Sequence, residues 1–109
     1  MTESSVALRR RRKALVRVLP PLTPLLHGSL IERYKRCGKP GCQCAKGRGH
    51  GPKYYLSVSR TGGRPEMDYV PQDRREQVEA GLENHRRVRQ ILNEICQINR
   101  ELLRRRERL

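Results

Sequence analysis

Residues 37–52 read Cys-Gly-Lys-Pro-Gly-Cys-Gln-Cys-Ala-Lys-Gly-Arg-Gly-His-Gly-Pro. Glycine and proline at this density exclude both a helix and a regular strand, and the polar residues between them cannot fold by burying themselves. An ordered segment of this kind needs a tie, and its own side chains supply one. Cys37, Cys42, Cys44 and His50 fall within fourteen positions, and three thiolates with one imidazole make a closed tetrahedral structural zinc site. The spacing Cys-x4-Cys-x-Cys-x5-His matches no standard paired pattern. Zinc therefore leads over two alternatives, a Gly/Pro loop with reduced thiols and a hydrogen-bonded histidine, and a disulfide.

The rest of the 109-residue chain offers little to bury. Hydrophobic residues are 35% of it, with no Phe and no Trp, and a core this thin calls for a metal or a partner chain. The formal charge of +14 is carried by arginine, since Lys13, Lys35, Lys39, Lys46 and Lys53 are the five lysines among 25 basic residues. Arginine suits bidentate contacts to phosphate and guanine. Nucleic acid is the expected acidic partner, bound with release of counterions. No run of 18 apolar residues is present, and the basic run near the start, succeeded by a proline-broken apolar stretch, does not read as an export signal. The expectation is a cytoplasmic protein with reduced thiols, not bound to membrane, which favours metal over disulfide.

Taken in order, residues 1–27 form a basic N-terminal segment, 28–71 a small sheet with the Cys/His loop, and 72–109 a helix. Ser4 and Ser5 are available as an N-cap. Arg9, Arg10, Arg11, Arg12 and Lys13 lie between apolar residues, as a short basic helix or as an arm that orders on a partner; repulsion among five adjacent charges favours the arm. Pro20, Pro21 and Pro24 interrupt the apolar connector between this segment and Gly28. Residues 29–36 read as a strand with a Leu30/Tyr34 face and an Arg33/Lys35 face. Residues 53–60 alternate, with Tyr54, Leu56 and Val58 inward. Thr61-Gly-Gly-Arg64 is a hairpin turn, and Pro65 to Val70 returns with Met67 and Tyr69 inward and Glu66 and Asp68 outward. Tyr34, Tyr54 and Tyr69 are expected in the core, where no Phe or Trp is available. Asp73 and Glu76 suggest a capping box for the last helix. Along it Val88, Ile91, Ile95, Ile98 and Leu102 step by 3, 4, 3 and 4, the spacing of a coiled-coil seam that would make a homodimer. The competing reading packs that stripe on the chain's own sheet or N-terminal helix. Cys96 reads as a small apolar filler. The fold class is α+β: a three-stranded antiparallel sheet, with the Cys/His loop between its first two strands, backed by a long C-terminal helix.

The motifs Gly28-Ser-Leu, Cys37-Gly-x-Pro-x-Cys-x-Cys44, His50-Gly-Pro, Tyr54-x-Leu56 and Tyr69-Val-Pro71, with a long helix after them, resemble those of a family of short bacterial and archaeal proteins of unknown function. The resemblance covers roughly residues 28–103. It implies the strand, Cys loop, hairpin and helix order already read from the residues, and by analogy a mobile-element or DNA-associated setting. A three-stranded sheet backed by a helix is also similar to the small DNA-reading domains of some tyrosine integrases, a likeness of fold alone.

These readings converge on a non-enzymatic nucleic-acid-binding protein, DNA ahead of RNA. Lys39, Lys46, Arg48 and Lys53 would project beside the metal loop, flanked by Arg33, Arg36 and Tyr55, with Arg9 to Lys13 adding phosphate contacts. Outward Glu66 and Asp68 would put negative charge on the sheet, so the loop and arm are expected to make the contact. Tyr55 offers a stacking surface for an unpaired base. The alternative is a small adaptor that dimerises through the Val88 to Leu102 seam and binds another protein. No carboxylate pair or His/Asp set has catalytic spacing, and His27 and His85 stand alone, which argues against an enzyme.

Overall fold

The computed structural model describes residues 2–35, 38, 41, 47 and 49–109. The chain runs α1 (Ser5–Arg17), β1 (Ser29–Lys35), β2 (His50–Val58), β3 (Glu66–Val70), a 3-10 turn (Gln72–Arg74) and α2 (Arg75–Arg104). The three strands form one antiparallel sheet in the order β1-β2-β3, the α+β arrangement that the alternation and periodicity predict. The chain divides into two compact units. One is Pro24–Leu82, holding the sheet and the first turns of α2; the other joins Met1–Thr23 to Glu83–Leu109.

In the first unit Tyr54, Leu56, Val70 and Leu82 are buried together, with Leu26, Leu30, Val58 and Val78 packed around them. Tyr54, Leu56 and Val58 alternate along β2 as the sequence predicts. Only one face of the sheet carries this core, as expected of an antiparallel sheet. The Tyr54 ring lies under the Arg75 guanidinium at 4.2 Å, and its hydroxyl donates to Glu32 at 3.4 Å. Leu26 donates its backbone N–H to the Gly81 carbonyl at 3.1 Å. A Cβ on Gly81 would stand 3.2 Å from Leu26, so the missing side chain is what lets helix and connector approach. At the entry to β1, Gly28 has φ +136°, and a Cβ there would stand 2.6 Å from the Ser57 carbonyl oxygen. Only glycine fits both the backbone conformation and the space.

β2 starts at His50, earlier than its alternating segment. It takes in Gly51 and Pro52, which their composition assigns to the loop. Proline is tolerated there because β3 pairs only with Tyr54 to Val58, leaving residue 52 flanked by β1 alone. The β1–β2 register shifts between Arg33 and Lys35, where β2 absorbs one extra residue. The capping box does not form. Asp73 lies inside the 3-10 turn, whose cap position is held by Pro71 with no side-chain cap bond.

In the second unit the N-terminal residues are a helix and not an extended arm. Ser4 caps it, its Oγ accepting from the Ala7 N–H at 3.1 Å. Leu8, Ile98 and Leu102 are fully buried together, with Leu15 packed against them. The packing overcomes charge repulsion because the cations splay away from the Leu8/Leu15 stripe and find partners. The Arg9 guanidinium donates to the Arg108 carbonyl at 2.8 Å, Arg11 pairs with Glu3 at 3.1 Å, and Arg12 donates to Asn99 Oδ1 at 2.7 Å. Ile98 and Leu102, two positions of the expected seam, are therefore covered by α1 of the same chain. Ile91 is buried as well, and Val88 and Ile95 are half-buried. Cys96 is exposed, because it falls off the apolar stripe, and it fills no core.

α2 ends in a reversal that no glycine announces. Arg106 has φ +59°, the Glu107 N–H donates to the Leu102 carbonyl at 2.9 Å, and the Arg106 N–H donates to the Leu103 carbonyl at 3.0 Å. This is the 6→1 and 5→2 pair of a Schellman ending, with arginine in the left-handed position that glycine usually takes.

Candidate nucleic-acid interface

Strand pairing decides which side chains share the sheet face turned away from the core. Tyr54 pairs with Val70, Leu56 with Asp68 and Val58 with Glu66. In an antiparallel sheet paired residues share a face, so Glu66 and Asp68 stand in the register of the core and Met67 and Tyr69 stand opposite. This reverses the sequence expectation for β3. Tyr69 is 56% exposed while Val70 is 4% exposed, and Tyr34 is half-buried, so Tyr54 is the one buried tyrosine of the three expected. The reason is that β3 is apolar at both parities, with Met67 and Tyr69 on one and Val70 on the other. The segment between Val58 and Glu66 is too long for a two-residue hairpin rule to fix the register.

The outer face is consequently built in three rows. The central row is Ile31, Tyr55 and Tyr69. On one side lie Ser29, Ser57 and Met67, and on the other lie Arg33 and Lys53, directly opposite each other. Tyr55 and Tyr69 meet edge-to-face with ring centroids 5.7 Å apart. The Arg33 guanidinium lies over the Tyr55 ring at 5.8 Å, within cation–π range. Arg33 and Lys53 are both exposed, and no Asp or Glu holds a paired position on this face. A like-charge pair directly across two strands is unfavourable, and among the described residues no carboxylate is paired on its face to relieve it. An anion seated over the pair would.

Three residues expected at the interface, Arg33, Lys53 and Tyr55, are thus brought together. Sequence reasoning misses Tyr69, Met67 and Ile31, although the shared parity of Val70 with the buried residues carries the signal. His50 opens β2 opposite Lys35, exposed at the rim of the sheet. The other expected zinc ligands, Cys37, Cys42 and Cys44, and the expected contacts Arg36, Lys39, Lys46 and Arg48, lie outside the described residues. Among the described residues no three His, Cys, Asp or Glu gather closely enough to hold a metal ion.

The remaining expected contacts lie in the other unit. Arg10 and Lys13 are exposed on α1, whereas Arg9, Arg11 and Arg12 take the intrachain partners described above. A groove of about 650 Å³ is lined by Arg9, Arg12, Lys13, Val16 and Arg17 of α1 and by Ile95 of α2. Arg17 completes this row at helical spacing, a position that the sequence alone does not single out. No helix is long and apolar enough to cross a membrane among the described residues.

Comparison with curated proteins and with solved structures finds no match. A family model does match, over residues 6–80, from α1 through the sheet and into α2. The chain belongs to the family described as Domain of unknown function (DUF6788).

Proposed function

We propose that the protein is a non-enzymatic nucleic-acid-binding module whose outer sheet face takes the ligand. The observation that carries this reading is the Arg33/Lys53 pair, held side by side beside Tyr55 with no carboxylate paired on the same face among the described residues. Two strands hold these cations in fixed register, so they are positioned before the ligand arrives. The Cys/His loop joins β1 to β2 immediately beyond this row. Cys37, Cys42, Cys44 and His50 would hold a zinc ion in that segment, which also carries Lys39, Lys46 and Arg48. The cations of α1 supply further phosphate contacts.

The test is binding to a labelled oligonucleotide across a salt series, wild type beside Arg33→Ala/Lys53→Ala. Each phosphate contact contributes roughly 0.7 to 0.9 to the slope of log affinity against log salt. The double variant is expected to bind more weakly with a slope shallower by about 1.5. An unchanged slope and affinity would remove the sheet face as the site.

A further inference from the structure

We infer that the outer sheet face binds single-stranded nucleic acid, with unpaired bases laid on the Tyr55/Tyr69 row; this rests on the nucleic-acid reading above and specifies its ligand. The first observation is the chemistry of the face. A sheet seated in the major groove of a duplex reads base edges through side chains that hydrogen-bond in pairs, chiefly arginine, asparagine and glutamine. The centre of this face is Ile31, Tyr55, Tyr69 and Met67, with no amide side chain among them. Its one guanidinium, that of Arg33, lies over the Tyr55 ring.

The second observation is exposure. Tyr69 is 56% exposed, a large aromatic surface beside half-buried Met67 on an edge strand. A duplex keeps its base faces stacked inside and so cannot lay one on this ring, whatever its backbone and groove edges contact. An unpaired base can cover it, and every base has a π-face, so the contact tolerates any sequence.

The third is spacing. Arg33 and Lys53 stand two residues along their strands from Ile31 and Tyr55, roughly 6.6 Å. That offset is about the separation of a base from its own phosphate. A strand with a base on the exposed Tyr69 ring therefore runs its backbone toward Lys53, and the Arg33 guanidinium, already over the Tyr55 ring, flanks that base.

The experiment is fluorescence anisotropy with the full chain and four labelled probes: a mixed-sequence single-stranded DNA, the RNA of the same sequence, the blunt DNA duplex, and a homopolymeric thymidine strand. Single strands are expected to bind at least tenfold more tightly than the duplex. Tyr69→Ala is expected to weaken single-strand binding by about fivefold to 150-fold, the range for losing one stacked base, and duplex binding by less than twofold. Tyr69→Phe, which keeps the ring, is expected to retain single-strand affinity within about threefold. Because Tyr69 is outside the buried core, the variants should stay folded, with melting lowered in Tyr69→Ala only by the lost edge-to-face contact with Tyr55. A duplex bound as tightly as the single strands, or a Tyr69→Ala loss equal on both, overturns the inference and leaves the nucleic-acid reading standing. Indifference of every probe to Arg33→Ala/Lys53→Ala overturns the reading itself.

Discussion

Replacing Leu8 by alanine tests the packing that makes α1 a helix. Leu8 is fully buried against Ile98 and Leu102. Leucine-to-alanine changes in cores cost about 2–5 kcal/mol, the cost falling where the site can collapse. Three buried residues with one half-buried neighbour form a small cluster that collapses easily, which places Leu8→Ala near 2–3 kcal/mol. Polar ties from Arg9 to the Arg108 carbonyl and from Arg12 to Asn99 assist this packing, but the helix itself is weak. Its 13 residues are at the margin of what an isolated helix sustains in water, and the run Arg9 to Lys13 adds repulsion along it. The Ser4 cap contributes only about 1 kcal/mol. The equilibrium for α1 docking should therefore shift about 30-fold to 150-fold toward the undocked state. Hydrogen exchange read by mass spectrometry checks this peptide by peptide. Amides of residues 8–17 should be protected in the wild type and exchange faster by that factor in the variant, with residues 53–58 of β2 as the internal control. Equal protection of residues 8–17 in the two proteins, or none in the wild type, would refute the packing argument. With α1 released, Ile98 and Leu102 are uncovered, and self-association at high concentration should appear in the variant alone.

Gly28→Ala places a Cβ against the Ser57 carbonyl at a φ that side chains avoid, and should cost at least about 1–3 kcal/mol, read as a lower urea midpoint. An unchanged midpoint would show that the strand entry gives way more easily than its geometry indicates. Arg106→Gly relieves a left-handed arginine at the end of α2 and should stabilise by about 1 kcal/mol, seen as a rise in melting temperature; a fall would mean that the side chain outweighs the backbone. Protein purified without an affinity tag should carry one zinc per chain by mass spectrometry, lost in Cys42→Ser, and metal-free reduced protein would remove zinc from the loop.

Much of the fold is legible in the sequence because the physical signals are unopposed. Tyr54, Leu56 and Val58 alternate with polar residues, Gly62 and Gly63 mark the turn, and Ser4 stands where a cap is needed. Signals fail where two of them compete. In β3 the Met67/Tyr69 pair outweighs Val70 in any count of apolar residues. A strand at the sheet edge needs only its last residue in the core, though, and pairing with Tyr54 puts Val70 there. In α1 the adjacent charges suggest an arm, but Leu8 and Leu15, seven residues apart, share a stripe that long arginine side chains can flank while reaching Glu3, Asn99 and the Arg108 carbonyl. The face of β3 matters most for the site. With Glu66 and Asp68 turned outward, the sheet would repel phosphates.

The chain has four tyrosines and no tryptophan, and two of the four are the edge-to-face pair on the outer face. Half of the protein's tyrosine chromophore thus sits on the surface proposed to hold the bases, and the rest (Tyr34 and Tyr54) sits elsewhere in the same sheet. Intrinsic tyrosine emission is therefore a built-in reporter that needs no label. A ligand that covers Tyr55 and Tyr69 should quench up to about half of it, and one that docks on α1 should leave it untouched, so a titration in a cuvette tells the two surfaces apart.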